Sequence, residues 1–128
     1  MEKQEQIRLP ESELEVMLAL WRNTVPVRTS ELLRQLSWTH SWTLSTLKVL
    51  LGRLEEKGFV EVTREGRFTL YQALVKEEDY RRHETRGLLK RYYQNSVKSM
   101  VAALVSEGDL TGEDLAELEQ IIQNAGRG

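Results

Sequence analysis

Between residues 44 and 57 the apolar side chains Leu47, Leu50, Leu51 and Leu54 fall at i, i+3, i+4 and i+7, so one stripe of a helix must face a core. The opposite side carries Ser45, Lys48, Val49 and Gly52, with Thr46 and Arg53 beside them. Thr43 is the expected N-cap. Upstream, Ser12-Glu13-Leu14-Glu15 matches a capping box, and Leu14, Met17, Leu18 and Trp21 repeat at helical spacing toward an end near Asn23. A second helix is expected from a Thr29 N-cap to about Ser37, burying Leu32, Leu33 and Leu36. After Gly58, a plausible C′ residue, Val60 and Val62 alternate with Glu61. Phe68, Leu70 and Gln72 alternate with Thr69, Tyr71 and Ala73, and Arg64-Glu65-Gly66-Arg67 is the expected turn between the two strands.

Past Lys76 the pattern becomes purely helical. Glu77-Glu78-Asp79 suit a helix start, because the macrodipole favours carboxylates there. Leu88, Leu89, Tyr92, Tyr93, Val97, Met100, Val101, Leu104 and Val105 make a broad apolar stripe to about Ser106, in which Gly87 marks a kink, a close contact or a break. Thr111-Gly112-Glu113-Asp114 caps a last helix that offers Leu115, Leu118, Ile121 and Ile122. Two helices cannot easily bury such wide stripes against each other, so pairing with a second copy is favoured over folding back on the hairpin domain. The expected architecture is mainly α with a small β-hairpin wing. Residues 1–75 form a winged helix-turn-helix domain, and 76–128 a C-terminal helical dimerisation segment.

The helix 44–57 has the properties needed to enter a DNA major groove: close approach, hydrogen-bonding tips and few carboxylates in its first turns. Ser45, Thr46 and Lys48 are candidates for base contact, and Val49 could offer a methyl contact to thymine. The bland alternative, a solvated helix face, is weakened by the capped turn before them and the wing after them. Arg53 either pairs with Glu55 or Glu56 or meets a phosphate. Arg64 and Arg67 at the hairpin tip suit backbone positioning over base reading. Arg28 is a weaker phosphate candidate, and Thr29 and Thr43 could add contacts from helix N-termini. Trp21 reads as core, and Trp42 as support for the third helix. The run Arg81, Arg82, Arg86, Lys90, Arg91 and Lys98 reads as a face pairing with the acidic last helix, with DNA phosphate as the alternative.

Charge permits this reading without demanding it. The chain has a net charge of −2, but residues 41–76 hold six Lys and Arg against four Asp and Glu. Zero cysteines exclude disulfides, thiolate metal sites and a Cys nucleophile, and His40 and His83 are too few and too far apart to suggest zinc. No catalytic triad, phosphate loop or paired-acid motif is present, so neither an enzyme nor a cofactor is expected. There is no run of 18 apolar residues and no signal-like start, so a cytoplasmic protein without a membrane association is expected.

The ordered set of these pieces resembles the penicillinase and methicillin-resistance repressor family of bacterial winged-helix regulators. It comprises Ser12-Glu13-Leu14-Glu15-Val16-Met17 leading to Trp21, Ser41-Trp42-Thr43 before Ser45-Thr46-Leu47-Lys48, and Leu51-Gly52-Arg53-Leu54-Glu55-Glu56-Lys57-Gly58-Phe59. It continues through Glu65-Gly66-Arg67, Tyr71-Gln72-Ala73-Leu74-Val75 and Asp109-Leu110-Thr111 to Ile121-Ile122. The resemblance implies a homodimeric repressor bound to a palindromic, double-stranded operator. It also implies a sensor-linked protease that releases the repressor by cleavage in the dimerisation region. There the sequence departs from the family, with Ala103-Leu104 where relatives carry an Asn-Phe pair. The cysteine cluster of the copper-responsive branch is absent, which excludes thiolate copper sensing. The competing reading from another class is a winged helix used only as a protein-docking module.

Overall fold

The computed structural model describes residues 8–127. Their elements are α1 (Glu11–Trp21), β1 (Val27–Arg28), α2 (Thr29–Leu36), α3 (Leu44–Glu56), β2 (Val60–Glu65) and β3 (Phe68–Ala73), then α4 (Glu77–Tyr93), α5 (Val97–Ser106) and α6 (Gly112–Arg127). They form two compact units, one running to Glu84 and the other starting at Thr85. The first is a winged helix: three helices and an antiparallel sheet in the order β1-β3-β2.

α3 is the best-specified element. Thr43 takes an extended conformation and its hydroxyl accepts from the Thr46 amide at 3.1 Å, as an N-cap should. At the other end Gly58 adopts φ 83°, the Gly58 amide donates to the Glu55 carbonyl at 3.0 Å and the Phe59 amide to the Leu54 carbonyl at 2.9 Å. That pair of bonds is the Schellman stop, which only a residue tolerant of positive φ completes without strain. Leu47, Leu50, Leu51 and Leu54 are all buried, each stabilising by roughly 1.5–3 kcal/mol on transfer from water.

α1 departs from its expected cap and face. Pro10 is the N-cap and no side chain caps the helix, so Ser12 lies within the first turn. Pro10 enters the helix at φ −59° and carries no side-chain acceptor, so the helix starts without a side-chain cap. Glu13 does not reach back to a cap; it is buried at 2% exposure and accepts from the Lys57 ammonium at the end of α3. The core face is Val16, Met17, Ala19 and Leu20, while Leu14, Leu18 and Trp21 lie half-buried at its side. The helix ends at Trp21, two residues before the expected Asn23, whose side-chain amide donates to the Ala19 carbonyl at 2.8 Å.

The Glu13–Lys57 pair pins α1 to the last turn of α3 and has two unequal partners. The Glu13 side chain is 3% exposed and that of Lys57 27%. Lys57→Met strands a buried carboxylate and should cost about 3 kcal/mol. Glu13→Met leaves an ammonium that can turn to water and should cost much less. Urea denaturation of the two variants checks this; equal losses would mean that the carboxylate is not the member that is costly to leave alone.

α2 begins one residue earlier than a Thr29 cap implies. Arg28 occupies the N-cap position with no side-chain hydrogen bond, and Thr29 is already helical. The cause is β1, which the sequence does not announce: Val27 pairs with Tyr71 and Arg28 with Leu70, so the chain enters α2 straight from the sheet. Leu32 and Leu36 are buried and Leu33 is half-buried. The hairpin is tighter than expected. Arg64 and Glu65 belong to β2, Glu65 pairs with Phe68, and Gly66-Arg67 form a two-residue loop with Gly66 at φ 61°. Gly at the first loop position with positive φ suits a hairpin turn whose twist matches the strands.

Tyr80, in the first turn of α4, belongs to the first core. Its hydroxyl accepts from the Leu9 amide at 2.9 Å, and its ring lies 5.8 Å from Phe59, edge-on, and 5.9 Å from Trp21. Burial raises the Tyr80 hydroxyl above the ordinary phenol range. α4 runs unbroken through Gly87. The break falls at Gln94-Asn95, both at positive φ (48° and 66°), a conformation that Asn tolerates better than most side chains. Ser96 then caps α5 by accepting from the Ser99 amide at 3.1 Å. Thr111 and Asp114 form a reciprocal capping box at α6, with bonds of 3.0 and 3.1 Å. No described helix is long and apolar enough to cross a membrane.

Candidate nucleic-acid interface

Because Leu47, Leu50, Leu51 and Leu54 fix one face of α3 in the core, the remaining face is determined. Ser45, Thr46, Lys48 and Arg53 are exposed there, and Val49 is 52% exposed. Gly52 is half-buried, and an added Cβ would meet nothing within 4 Å. The surface is therefore shallow and rimmed by hydroxyls and cations, without a bulky side chain to hold a partner away. Arg53 forms no ion pair with Glu55 or Glu56, which removes the pairing alternative among the described residues. Lys48, Arg64 and Arg67 likewise have no described carboxylate within ion-pair distance.

The wing sits beside this face. Lys48 and Leu44 of α3, Arg28, Thr29 and Ser30 at the start of α2, and Arg67 of the hairpin loop line one shallow cleft of about 230 Å³. Lys48 and Arg67, far apart in sequence, are thus brought together, and Arg28 joins them. Arg64 lies on exposed β2 and does not line that cleft. Arg28 rests over the Phe68 ring, its guanidinium carbon 4.4 Å from the ring centre; sequence patterning misses this contact because the strand that makes it is two residues long.

Two further side chains meet in the turn just before α3. Trp42 packs against the core and stacks on His40 at 4.1 Å and 12° between planes, and His40 Nε2 lies 3.4 Å from a Glu15 carboxylate oxygen. On α2, Arg34 donates to Glu31 at 3.0 Å through Nε, and Gln35 donates at 3.1 Å. These bonds hold the Glu31 carboxyl at about 2, so this acid stays ionised and engaged.

In the second unit the residues expected at a dimer seam divide by exposure. Leu89, Met100, Val101 and Leu118 are half-buried; Leu88, Tyr92, Val97, Leu104, Ile121 and Ile122 are exposed, the last two at 62% and 63%. No described residue of α5 or α6 is buried. Ala103 and Leu104 lie in the body of α5, half-buried and exposed. Of the basic run on α4, Arg81 pairs with Glu77 at 2.9 Å and Arg82 with Asp79 at 3.5 Å, so these two spend their charge on their own helix's acidic first turn. A larger groove of about 500 Å³, lined by Leu14, Leu18, Trp21 and Tyr80 with the Arg8–Glu84 pair on its wall, has no counterpart in the sequence pattern.

Comparison with known proteins identifies the family. The chain is 34% identical to the penicillinase repressor of Bacillus licheniformis over 116 residues, 91% of this chain and 90% of that one. It is 24% identical to the methicillin resistance regulatory protein MecI of Mammaliicoccus sciuri over 111 residues, 87% of this chain and 89% of that one. The solution structure of the DNA-binding domain of the repressor BlaI matches with a TM-score of 0.52 and 34% identity over 57% of this chain and 88% of that one. Bacillus licheniformis BlaI in monomeric form, in complex with the blaP half-operator, matches with a TM-score of 0.50 and 34% identity over 58% of this chain and 89% of that one. The family model described as penicillinase repressor matches residues 9–124, from the first core residue through nearly all of α6, and the chain belongs to that family.

Proposed function

We propose that this chain is a homodimeric transcriptional repressor that reads a palindromic operator with α3 in the major groove. The observation that carries this is the exposed face of α3: hydroxyls, an exposed lysine and a methyl-bearing valine on a helix whose other face is locked in the core. A solved relative bound to a half-operator supports the same reading. Lys48, Ser45 and Thr46 supply hydrogen bonds to base edges, and Val49 an apolar contact to thymine. Thr43, Arg53, Arg64 and Arg67 contact the phosphate backbone and set the register.

The second unit supplies the dimer. An apolar surface that includes Tyr92, Leu104, Ile121 and Ile122, uncovered within one chain, is satisfied by the same surface on a second copy. Two α3 helices then engage two half-sites, and each binding event raises the effective concentration of the other. Cleavage at Ala103-Leu104 would divide α5 and remove part of that seam. Since α5 has no buried residue, local opening to admit a sensor-linked protease costs little.

Salt dependence separates this reading from that of a protein-docking module. Arg64→Ala or Arg67→Ala should weaken binding to every duplex alike and lower the slope of log K against log salt by about one for each phosphate no longer neutralised. Fluorescence anisotropy across a salt series measures it. A wild-type chain that binds no duplex even at low salt would leave only the docking role.

A further inference from the structure

β1 has only two residues, yet it determines where one cation points. Side chains alternate along a strand, and Val27 enters the core while Arg28 faces outward. Arg28 stands opposite Leu70 of β3. Its diagonal neighbour on the same face is Phe68, within reach of a long side chain. The guanidinium carbon lies 4.4 Å over the Phe68 ring. Phe68 is 46% exposed and takes no part in the core cluster, so packing alone does not explain an aromatic at the base of the wing.

Glu31 feels the Arg28 charge but already accepts hydrogen bonds from both Arg34 and Gln35. Arg28 forms no ion pair among the described residues. It lines the same cleft as Lys48 and Arg67. A guanidinium lying on an aromatic face keeps its N–H donors free in its own plane, the fork that suits a phosphate. The ring also restricts the side chain before the ligand arrives, so less freedom is lost on binding.

We propose that Phe68 is a positioning residue: it braces Arg28 over the cleft between the wing and α3, where the guanidinium grips a DNA phosphate. This rests on the DNA-binding reading above and adds to it a residue that does not itself contact DNA. The seat reads no sequence; it fixes how the wing approaches the backbone.

The test is a double-mutant cycle on the full-length chain, with a mixed-sequence duplex at low salt as the probe. Phe68→Leu should weaken binding about two- to fivefold, and Phe68→Tyr should restore it. Arg28→Ala should weaken binding at least as much and lower the salt slope by about one. In the Arg28→Ala background, Phe68→Leu should add nothing. A Phe68→Leu loss that persists undiminished without Arg28 overturns the proposal, as does a silent Phe68→Leu in a chain where Lys48→Ala still weakens binding. Arg28→Ala alters an exposed side chain, so if Phe68→Leu disturbs β3 the test rests on Arg28→Ala alone, and unchanged affinity and salt slope in that variant overturn the proposal. No duplex binding by the wild-type chain would overturn the DNA-binding reading along with the brace.

Discussion

Replacing Lys48 with Ala should cost about 1–3 kcal/mol of operator binding and relax preference at one position in each half-site. Lys48 is exposed, has no ion-pair partner among the described residues and occupies the middle of the polar face of α3. The substitution should leave the fold intact, since Ala is the strongest helix former and the lysine is exposed. The effect therefore falls on recognition. Competition between operator variants resolves it: a base-reading lysine loses discrimination at one position, whereas a phosphate-binding lysine loses affinity uniformly. Uniform loss would move Lys48 from the reading set to the positioning set.

The second large effect is expected from removing the second unit, and the place of the cut matters. A chain ending after Glu84 keeps Tyr80, its bond to Leu9 and its packing on Phe59 and Trp21. It should remain folded and monomeric, and its operator affinity should fall by about 10²–10⁴ because joint engagement of two half-sites is lost. A chain ending at Lys76 lacks Tyr80, and deleting a buried aromatic of this kind costs about 3–5 kcal/mol, a large part of a small domain's stability. It should be far less stable. Sedimentation and thermal melting of the two fragments check both statements. A fragment to Glu84 that still dimerises would place the interface in the first unit.

α3 and its flanks are legible in the sequence because every level agrees: the leucine period, the Thr43 cap and the Gly58 stop all specify one helix. The exposed residues of its outer face follow at once, since a buried stripe leaves only one face free. α1 is harder. Ser12 and Glu13 fit a capping pattern, but the helix starts at Pro10, which places Ser12 inside its first turn, and Glu13 meets Lys57 from 44 residues away. No local pattern reveals a partner at that distance. β1 is below the length at which alternation can be read, and with it the contact of Arg28 with Phe68 is invisible. Tyr80 reads with the helical segment because its neighbours in sequence are charged, while its neighbours in space are Phe59 and Trp21. In the second unit Gly87 suggests a break, yet the chain turns at Gln94-Asn95.

The central claim is that a dimer of this chain reads DNA sequence through two copies of α3. Selection of bound sites from a random duplex pool by the full-length protein tests it most directly. The expected result is one enriched sequence with two-fold symmetry, its half-sites separated by a whole number of helical turns, about 10–10.5 base pairs each. Recovery of a pool no different from the input, or of a single half-site without a symmetric mate, would contradict it.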